Sequence, residues 1–104
     1  MISNERRAAV FEVEDGDRSR VNGALHFTTV TALLRAGMEA IANGRAAVID
    51  LAGVSDSDSS GLALLIEWLS VAKSENRSLR YEHIPAQLKQ LARLSEVEEM
   101  LTAG

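Results

Sequence analysis

Hydroxyl and carboxylate side chains are concentrated in one short stretch of the 104-residue chain, at residues 55–60. This stretch reads S-D-S-D-S-S and is followed at once by Gly61. Side chains of these types can cap a helix, and a hydroxyl can also carry a phosphate or contact a partner. Asp58 and Ser59 are the best cap candidates, and the simplest interpretation is that they only satisfy a helix terminus.

The residues on either side of this stretch predict a strand before it and a helix after it. Residues 47–49 are a short apolar run that ends in Asp50, as in a buried strand that brings a carboxylate to its C-terminal edge. After Gly61, apolar residues recur at helical spacing, namely Leu62, Leu65, Ile66 and Leu69. A polar loop at residues 53–60 is therefore expected to lead to a helix start, where the helix dipole favours negative charge.

The central motif resembles that of a known family. The run D-L-A-G-V-S-D-S-D-S-S-G-L at residues 50–62 is similar to the signature of STAS domains, in which D-S-[ST]-G follows a buried strand and opens a helix. Residues 58–61, D-S-S-G, match that quartet, and the wider resemblance covers residues 21–101. One departure is Ser57, because the anti-sigma-factor antagonists of this family usually carry an apolar residue there.

The resemblance implies one of two regulatory functions. The segment G-L-A-L-L at residues 61–65 and the tail at residues 84–101 are similar to the STAS subunits of Mla-type ABC transporters, which move phospholipids and maintain lipid asymmetry. This similarity implies a non-catalytic cytoplasmic adaptor that binds the ATPase subunit and supports its assembly or activity. Such an adaptor would reach the permease and the inner face of the inner membrane only through the ATPase. The alternative is an anti-sigma-factor antagonist regulated by phosphorylation of Ser59.

The motif residues have a candidate role under each function. In the antagonist Ser59 would be the phosphoacceptor, and in the adaptor its hydroxyl would be part of the contact surface. Transfer of the family motif makes the motif residues phosphoacceptor-like or partner-contact residues. They are Asp58, Ser59, Ser60 and Gly61.

A second apolar stripe on the predicted central helix indicates a partner surface. Leu64, Trp68 and Val71 lie at positions i, i+4 and i+7, on the side that a helix resting on a single sheet would leave exposed. A tryptophan among aliphatic residues is a common interface anchor. This hypothesis predicts that Trp68→Ala leaves the domain folded but weakens ATPase binding by about 2 kcal/mol or more. The alternative is that neighbouring helices cover these side chains.

The remaining patterns predict an α/β domain with the order β-β-α-β-α-β-α-α. Beyond the central unit, the predicted elements are strands at residues 8–14, 19–25 and 79–83, a helix that ends at Asn43-Gly44, a helix restarted by Pro85, and a final short helix. Right-handed crossovers would then give a four-stranded mixed sheet packed with about four helices. The STAS resemblance implies the same fold, as a single domain over residues 1–104.

Composition argues against several classes of partner. The formal net charge is −4 and the Lys and Arg residues are dispersed, which argues against a primary role in nucleic-acid binding. The chain has no cysteine, which excludes disulfides and thiolate metal sites. The opening MISNERRAAVF lacks an apolar signal core, and no run of about 18 apolar residues exists. We therefore expect a cytoplasmic protein without direct membrane insertion.

The sequence gives little support for catalysis, a cofactor or a metal. Ser59, His26 and Asp50 or Asp58 could be written as a triad, but no G-x-S-x-G elbow and no glycine-rich phosphate loop accompanies them. His26 and His83 are isolated in the sequence, and the acidic residues lack the spacing of a calcium loop. We therefore predict no enzyme activity and no cofactor, with a hydrolase that uses Ser59 as a third alternative.

Overall fold

The fold is that of a computed structural model, which describes residues 9–102. Its elements are β1 (Val10–Val13), β2 (Arg18–Leu25), α1 (Val30–Ala42), β3 (Val48–Ser57), α2 (Ser59–Ser74), β4 (Arg80–Glu82), α3 (Ala86–Leu94) and α4 (Glu98–Thr102). The predicted element order is confirmed. Ala8, the expected first residue of β1, lies outside the described residues.

The four strands form one mixed sheet in the order β1-β2-β3-β4. Strands β1 and β2 pair antiparallel, whereas β2 with β3 and β3 with β4 pair parallel. Parallel neighbours need crossover connections, which α1 and α2 supply. Because β2 and β3 are parallel, both strands end at the same edge of the sheet, and α1 and α2 both begin there.

Strand β3 is longer than the sequence predicts. The prediction of a loop at residues 53–60 is wrong for residues 53–57. These residues belong to β3, which continues to Ser57 and pairs with β2 as far as Leu25. The side chains of Ser55 and Asp56 are exposed, so the strand tolerates them without burying polar groups. Two register shifts in the β2–β3 pairing fall beside Asn22 and Gly23, where the apolar pattern of β2 is interrupted.

The helices cover one face of the sheet and leave polar side chains on the other. Val21 and Leu25 of β2 and Ile49 and Leu51 of β3 are fully buried in the core. Ion pairs join strands on the other side, among them Arg20–Glu12 at 2.9 Å and Arg18–Glu82 at 2.6 Å. None of the helices within residues 9–102 has the length and apolar character needed to cross a membrane.

Two helix boundaries follow the local signals in the sequence. Helix α1 ends at Ala42, with Asn43 as its C-cap and Gly44 at a φ of 74°, a left-handed conformation that glycine adopts without strain. The sequence predicts Pro85 as the first residue of α3. In the structure α3 begins at Ala86, and Pro85 is its N-cap. The lack of an N–H group on proline costs nothing at either position.

Candidate functional site

Asp58 caps helix α2. Its backbone is extended, and its side-chain oxygen Oδ1 accepts a hydrogen bond of 2.7 Å from the backbone N–H of Ser60. Ser59 is the first residue of α2 and its side chain is exposed. Of the two cap candidates, Asp58 is therefore confirmed, whereas the prediction that Ser59 is the cap is wrong. This leaves the hydroxyl of Ser59 accessible to a partner or a modifying enzyme.

The difference between these neighbours predicts a difference in stability. Asp58→Ala removes the acceptor for an otherwise unpaired helix N–H and is expected to lower the free energy of unfolding by about 1 kcal/mol. Ser59→Ala changes an exposed side chain and should change the free energy of unfolding by no more than about 0.5 kcal/mol. Urea denaturation of both variants checks this, with Asp58→Asn as a control that keeps the acceptor. A larger loss in Ser59→Ala than in Asp58→Ala would contradict the assignment of the cap.

Gly61 is a buried packing position in the structure, and its role as a partner contact stays a prediction. A Cβ atom on this residue would overlap Oγ of Ser57 and lie 3.0 Å from Cβ of Leu25. The first turn of α2 thus rests directly on the ends of β2 and β3, which only a residue without a side chain allows. Ser57, the departure from the family motif, is itself buried, and its hydroxyl donates to the carbonyl of Asp58 at 2.9 Å.

The connection between β2 and α1 lies at the same edge of the sheet as Ser59. His26 Nε2 lies 3.1 Å from Asp56 Oδ2, which ties this connection to β3. The hydrogen bond from His26, with a further one from the N–H of Ser57, lowers the pKa of Asp56. Phe27, the next residue, is 73% exposed. The edge therefore presents an aromatic ring, hydroxyls and carboxylates to solvent.

A groove of about 330 Å³ runs between α1 and α2 from this edge. It is lined by Val30, Thr31 and Leu34 of α1 and by Ser60, Ala63, Leu64 and Glu67 of α2. Ser60, one of the predicted contact residues, is thus at the mouth of the groove. Leu64 is 4% exposed, so it contributes to the floor of the groove rather than to a protruding surface.

The second apolar stripe of α2 does not form the predicted partner surface. Trp68 is 0% exposed and Leu64 is buried, whereas Val71 is half-buried against the core. The Nε1–H of Trp68 donates to the carbonyl of Leu34 in α1 at 3.1 Å, and its ring makes an edge-to-face contact with Phe11 at a centroid distance of 5.5 Å. The prediction that Leu64 and Trp68 are exposed is wrong, and α1 covers Trp68, as the alternative stated.

A glycine that the sequence analysis missed makes this coverage possible. Gly37 of α1 is buried, and a Cβ atom there would lie 2.5 Å from Cζ2 of Trp68 and overlap two further atoms of the ring. The indole therefore lies directly on the backbone of α1. The signal in the sequence was an isolated glycine inside a helical pattern, which often has a packing reason.

Comparison with known proteins identifies the family. A family model described as "Mlab, STAS domain" matches residues 12–102. The chain belongs to the STAS domain family. The resemblance read from the D-S-S-G motif is therefore confirmed. No protein with a curated description matches the sequence.

Two solved structures have the same fold as this STAS domain. One is the Bacillus cell fate determinant SpoIIAA in its phosphorylated form, with a TM-score of 0.65 and 16% identity over 86% of this chain and 84% of that chain. The other is the anti-sigma factor antagonist SpoIIAA in its unphosphorylated form, with a TM-score of 0.67 and 16% identity over 86% and 82% of the two chains. At this identity the similarity establishes the fold, which is the predicted STAS-like mixed sheet.

The residues considered for a catalytic triad do not pair as a triad would require. The ring of His26 hydrogen-bonds to Asp56, and that of His83 to Asp50, with Nδ1 and Oδ1 2.8 Å apart. The carboxylate of Asp58 accepts from the N-terminus of α2. The carboxylates of Asp50 and Asp58, which the triad would need beside His26, therefore bond to other groups.

His83 is not isolated in the folded STAS domain, contrary to its interpretation from the sequence. Single ligand atoms of Asp50, Glu82 and His83 all lie within 4.8 Å of one another. The two oxygens of Glu82 are held by Arg18 at 2.6 Å and Arg80 at 3.0 Å, so two guanidinium groups balance the two carboxylates. We therefore interpret this cluster as an ion-pair network across the sheet.

The pKa of Asp50 reflects this network. Partial burial alone would raise the pKa, but hydrogen bonds from the N–H of Ala52 and from His83, with the charge of Arg18, outweigh it and lower the pKa. A lowered pKa in the folded state means that the ionised carboxylate contributes stability above its unfolded pKa, and that this contribution is lost as the pH falls.

Proposed function

We propose that this STAS domain is a non-catalytic adaptor subunit that binds the ATPase of a phospholipid-transporting, Mla-type ABC transporter and supports its assembly or activity. The observation that carries this proposal is the match of residues 12–102 to the family model described as "Mlab, STAS domain". The ATPase would hold the adaptor in the cytoplasm, at the inner face of the inner membrane. The permease would then be an indirect partner.

The edge of the sheet where α1 and α2 begin is the part of the domain best suited to contact the ATPase. Ser59 and Phe27 are exposed there, and the groove between the two helices opens beside Ser60. Aromatic side chains at an exposed edge are frequent interface anchors. Gly61 would support this surface from below by holding the first turn of α2 against the sheet.

The exposed hydroxyl of Ser59 favours a second candidate function, that of an anti-sigma-factor antagonist switched by phosphorylation. A phosphate on Ser59 would add about −1.5 to −2 charges at the N-terminus of α2, where the helix dipole stabilises negative charge. The carboxylates of Asp56 and Asp58 would oppose it. Such a modification could change the surface offered to a partner without unfolding the domain.

Identification of the partner distinguishes the two functions. Affinity purification of the full chain from its native cell is expected to recover an ABC ATPase together with its permease. Intact-mass spectrometry of the same protein is expected to show no stoichiometric phosphate. Recovery of an anti-sigma kinase, with a phosphorylated pool that maps to Ser59 and disappears when the kinase is removed, would reject the adaptor function and support the second candidate.

A charge at Ser59 is expected to disturb the contact under either function. Ser59→Asp places a carboxylate beside Asp58 on the proposed contact surface and should weaken partner binding about tenfold, since like charges at an interface are costly. An acidic residue at the start of a helix does not endanger folding, because it interacts favourably with the dipole. Titration calorimetry with the purified partner measures the loss.

Ser70→Asp is the matched control for this experiment. Ser70 is exposed on the same helix, about three turns from Ser59. The control variant should keep the affinity of the unmutated chain. Equal weakening by both variants would mean that net charge, and not the position of Ser59, determines binding.

A further inference from the structure

The groove between α1 and α2 is lined mainly by apolar side chains. Leu34 of α1 and Leu64 of α2 face it from opposite helices, and Ala63 is exposed at its side. Its volume of about 330 Å³ is at the lower end of the range for small-molecule pockets. A groove of this size suits one or two apolar side chains of a protein partner. Phe27 is exposed three residues before α1 begins, in the connection between β2 and α1.

Among the described residues that line the groove, the charged side chain is acidic. Glu67 lines it, and of the described residues none with a positive charge does so. Asp58 caps α2 at the same end. Arg35, the residue after Leu34, does not line the groove but lines an adjoining depression with Glu39, and the two share Thr31. The formal net charge of −4 for the whole chain adds to the attraction of a basic segment.

We propose that this groove binds an amphipathic helical segment of the ATPase, one that inserts an apolar side chain between Leu34 and Leu64 and places a Lys or Arg against Glu67. This inference rests on the proposed adaptor function and deepens it by assigning the docking position and the chemistry of the partner. A helix that lies in a groove with periodic apolar anchors is a recurrent mode of recognition. The basic residue would fix the direction of the segment, because Glu67 lies about two turns along α2 from Ser60.

The first part of the test reverses the charge in the groove. The full chain is titrated against the purified ATPase subunit of the phospholipid transporter from the same organism. Glu67→Lys should weaken binding about tenfold or more, because it replaces an attraction by a repulsion. Glu39→Lys makes the same change in net charge at a position of α1 outside the groove. Its affinity for the ATPase should stay within about twofold of that of the unmutated chain.

The second part fills the groove. Ala63→Phe adds a ring at an exposed position on its side, and should weaken binding about tenfold or more by occupying the space of the inserted side chain. Ala32→Phe makes the same change at an exposed position of α1 outside the groove and should stay within about twofold. Circular dichroism melting of all four variants verifies that each is folded, which is expected because all four positions are exposed.

The outcomes separate this inference from the function on which it rests. If the ATPase binds the unmutated chain, Glu67→Lys and Ala63→Phe with equal affinity, the groove is not the docking position and the adaptor function stands. If Glu39→Lys weakens binding as much as Glu67→Lys, the effect is one of net charge and the proposed pairing with Glu67 is wrong. If the ATPase does not bind the unmutated chain, the adaptor function and the inference are both rejected.

Discussion

Trp68→Ala is expected to lower the free energy of unfolding by about 3–5 kcal/mol, the range for removing a large aromatic side chain from a core. Trp68 is fully buried, and its indole fills the space between α1 and α2. The substitution would leave a cavity, remove the contact with the ring of Phe11, and leave the carbonyl of Leu34 without the indole N–H. The free energy of unfolding of a small domain is only about 5–15 kcal/mol. A loss of this size therefore raises the fraction of unfolded molecules strongly.

Urea denaturation and thermal melting measure this effect directly. Val71→Ala is the matched control, because Val71 belongs to the same stripe of α2 but is only half-buried. It should cost much less than Trp68→Ala. If Trp68→Ala instead melted like the unmutated chain and lost only partner binding, Trp68 would be the docking residue that its helical position suggests, and the packing described above would be wrong.

Gly37→Ala is expected to destabilise the domain, although alanine is the better helix former by about 1 kcal/mol. A Cβ atom at Gly37 would overlap Cε2 and Nε1 of Trp68 and lie 2.5 Å from Cζ2. The buried indole cannot rotate away, so α1 and α2 would have to separate. Overpacking of this kind typically costs about 1–3 kcal/mol, occasionally more, and we expect a net loss of about 2 kcal/mol.

The cause of that loss can be isolated by combining the two substitutions. In the Trp68→Ala background the clash is absent, so Gly37→Ala should be neutral or stabilising, through its higher helix propensity and partial filling of the cavity. Chemical denaturation of the unmutated chain, the two single variants and the double variant gives the coupling energy. An equal loss from Gly37→Ala in both backgrounds would show that the contact with Trp68 is not responsible.

The order of elements was predictable because it depends on local patterns. Apolar residues at spacings of three and four marked α2, and Asn43-Gly44 marked the end of α1 through the left-handed conformation that glycine adopts. The position of the candidate site was predictable for the same reason. The D-S-S-G quartet at residues 58–61 carries its own cap, with Asp58 bonded to a backbone N–H two residues further on.

The end of β3 was not predictable, because it depends on a partner strand. Apart from Val54, residues 53–57 are polar or small and resemble a loop when each is considered alone. They are strand because β2 supplies the neighbouring backbone as far as Leu25, and because the side chains of Ser55 and Asp56 can face solvent. Pairings between distant residues, such as His83 with Asp50, are equally invisible to local patterns.

By itself, the sequence determined the family, the order of strands and helices, and the placing of Asp58, Ser59 and Ser60 at a helix start, since each depends on residues that are close together in the chain. Only the tertiary structure decided which surface remains available to a partner. The periodicity of α2 shows that Trp68 lies opposite the first apolar stripe, but not whether another helix covers it. That depends on how closely α1 approaches, and the approach depends on the missing side chain of Gly37, 31 positions earlier in the chain.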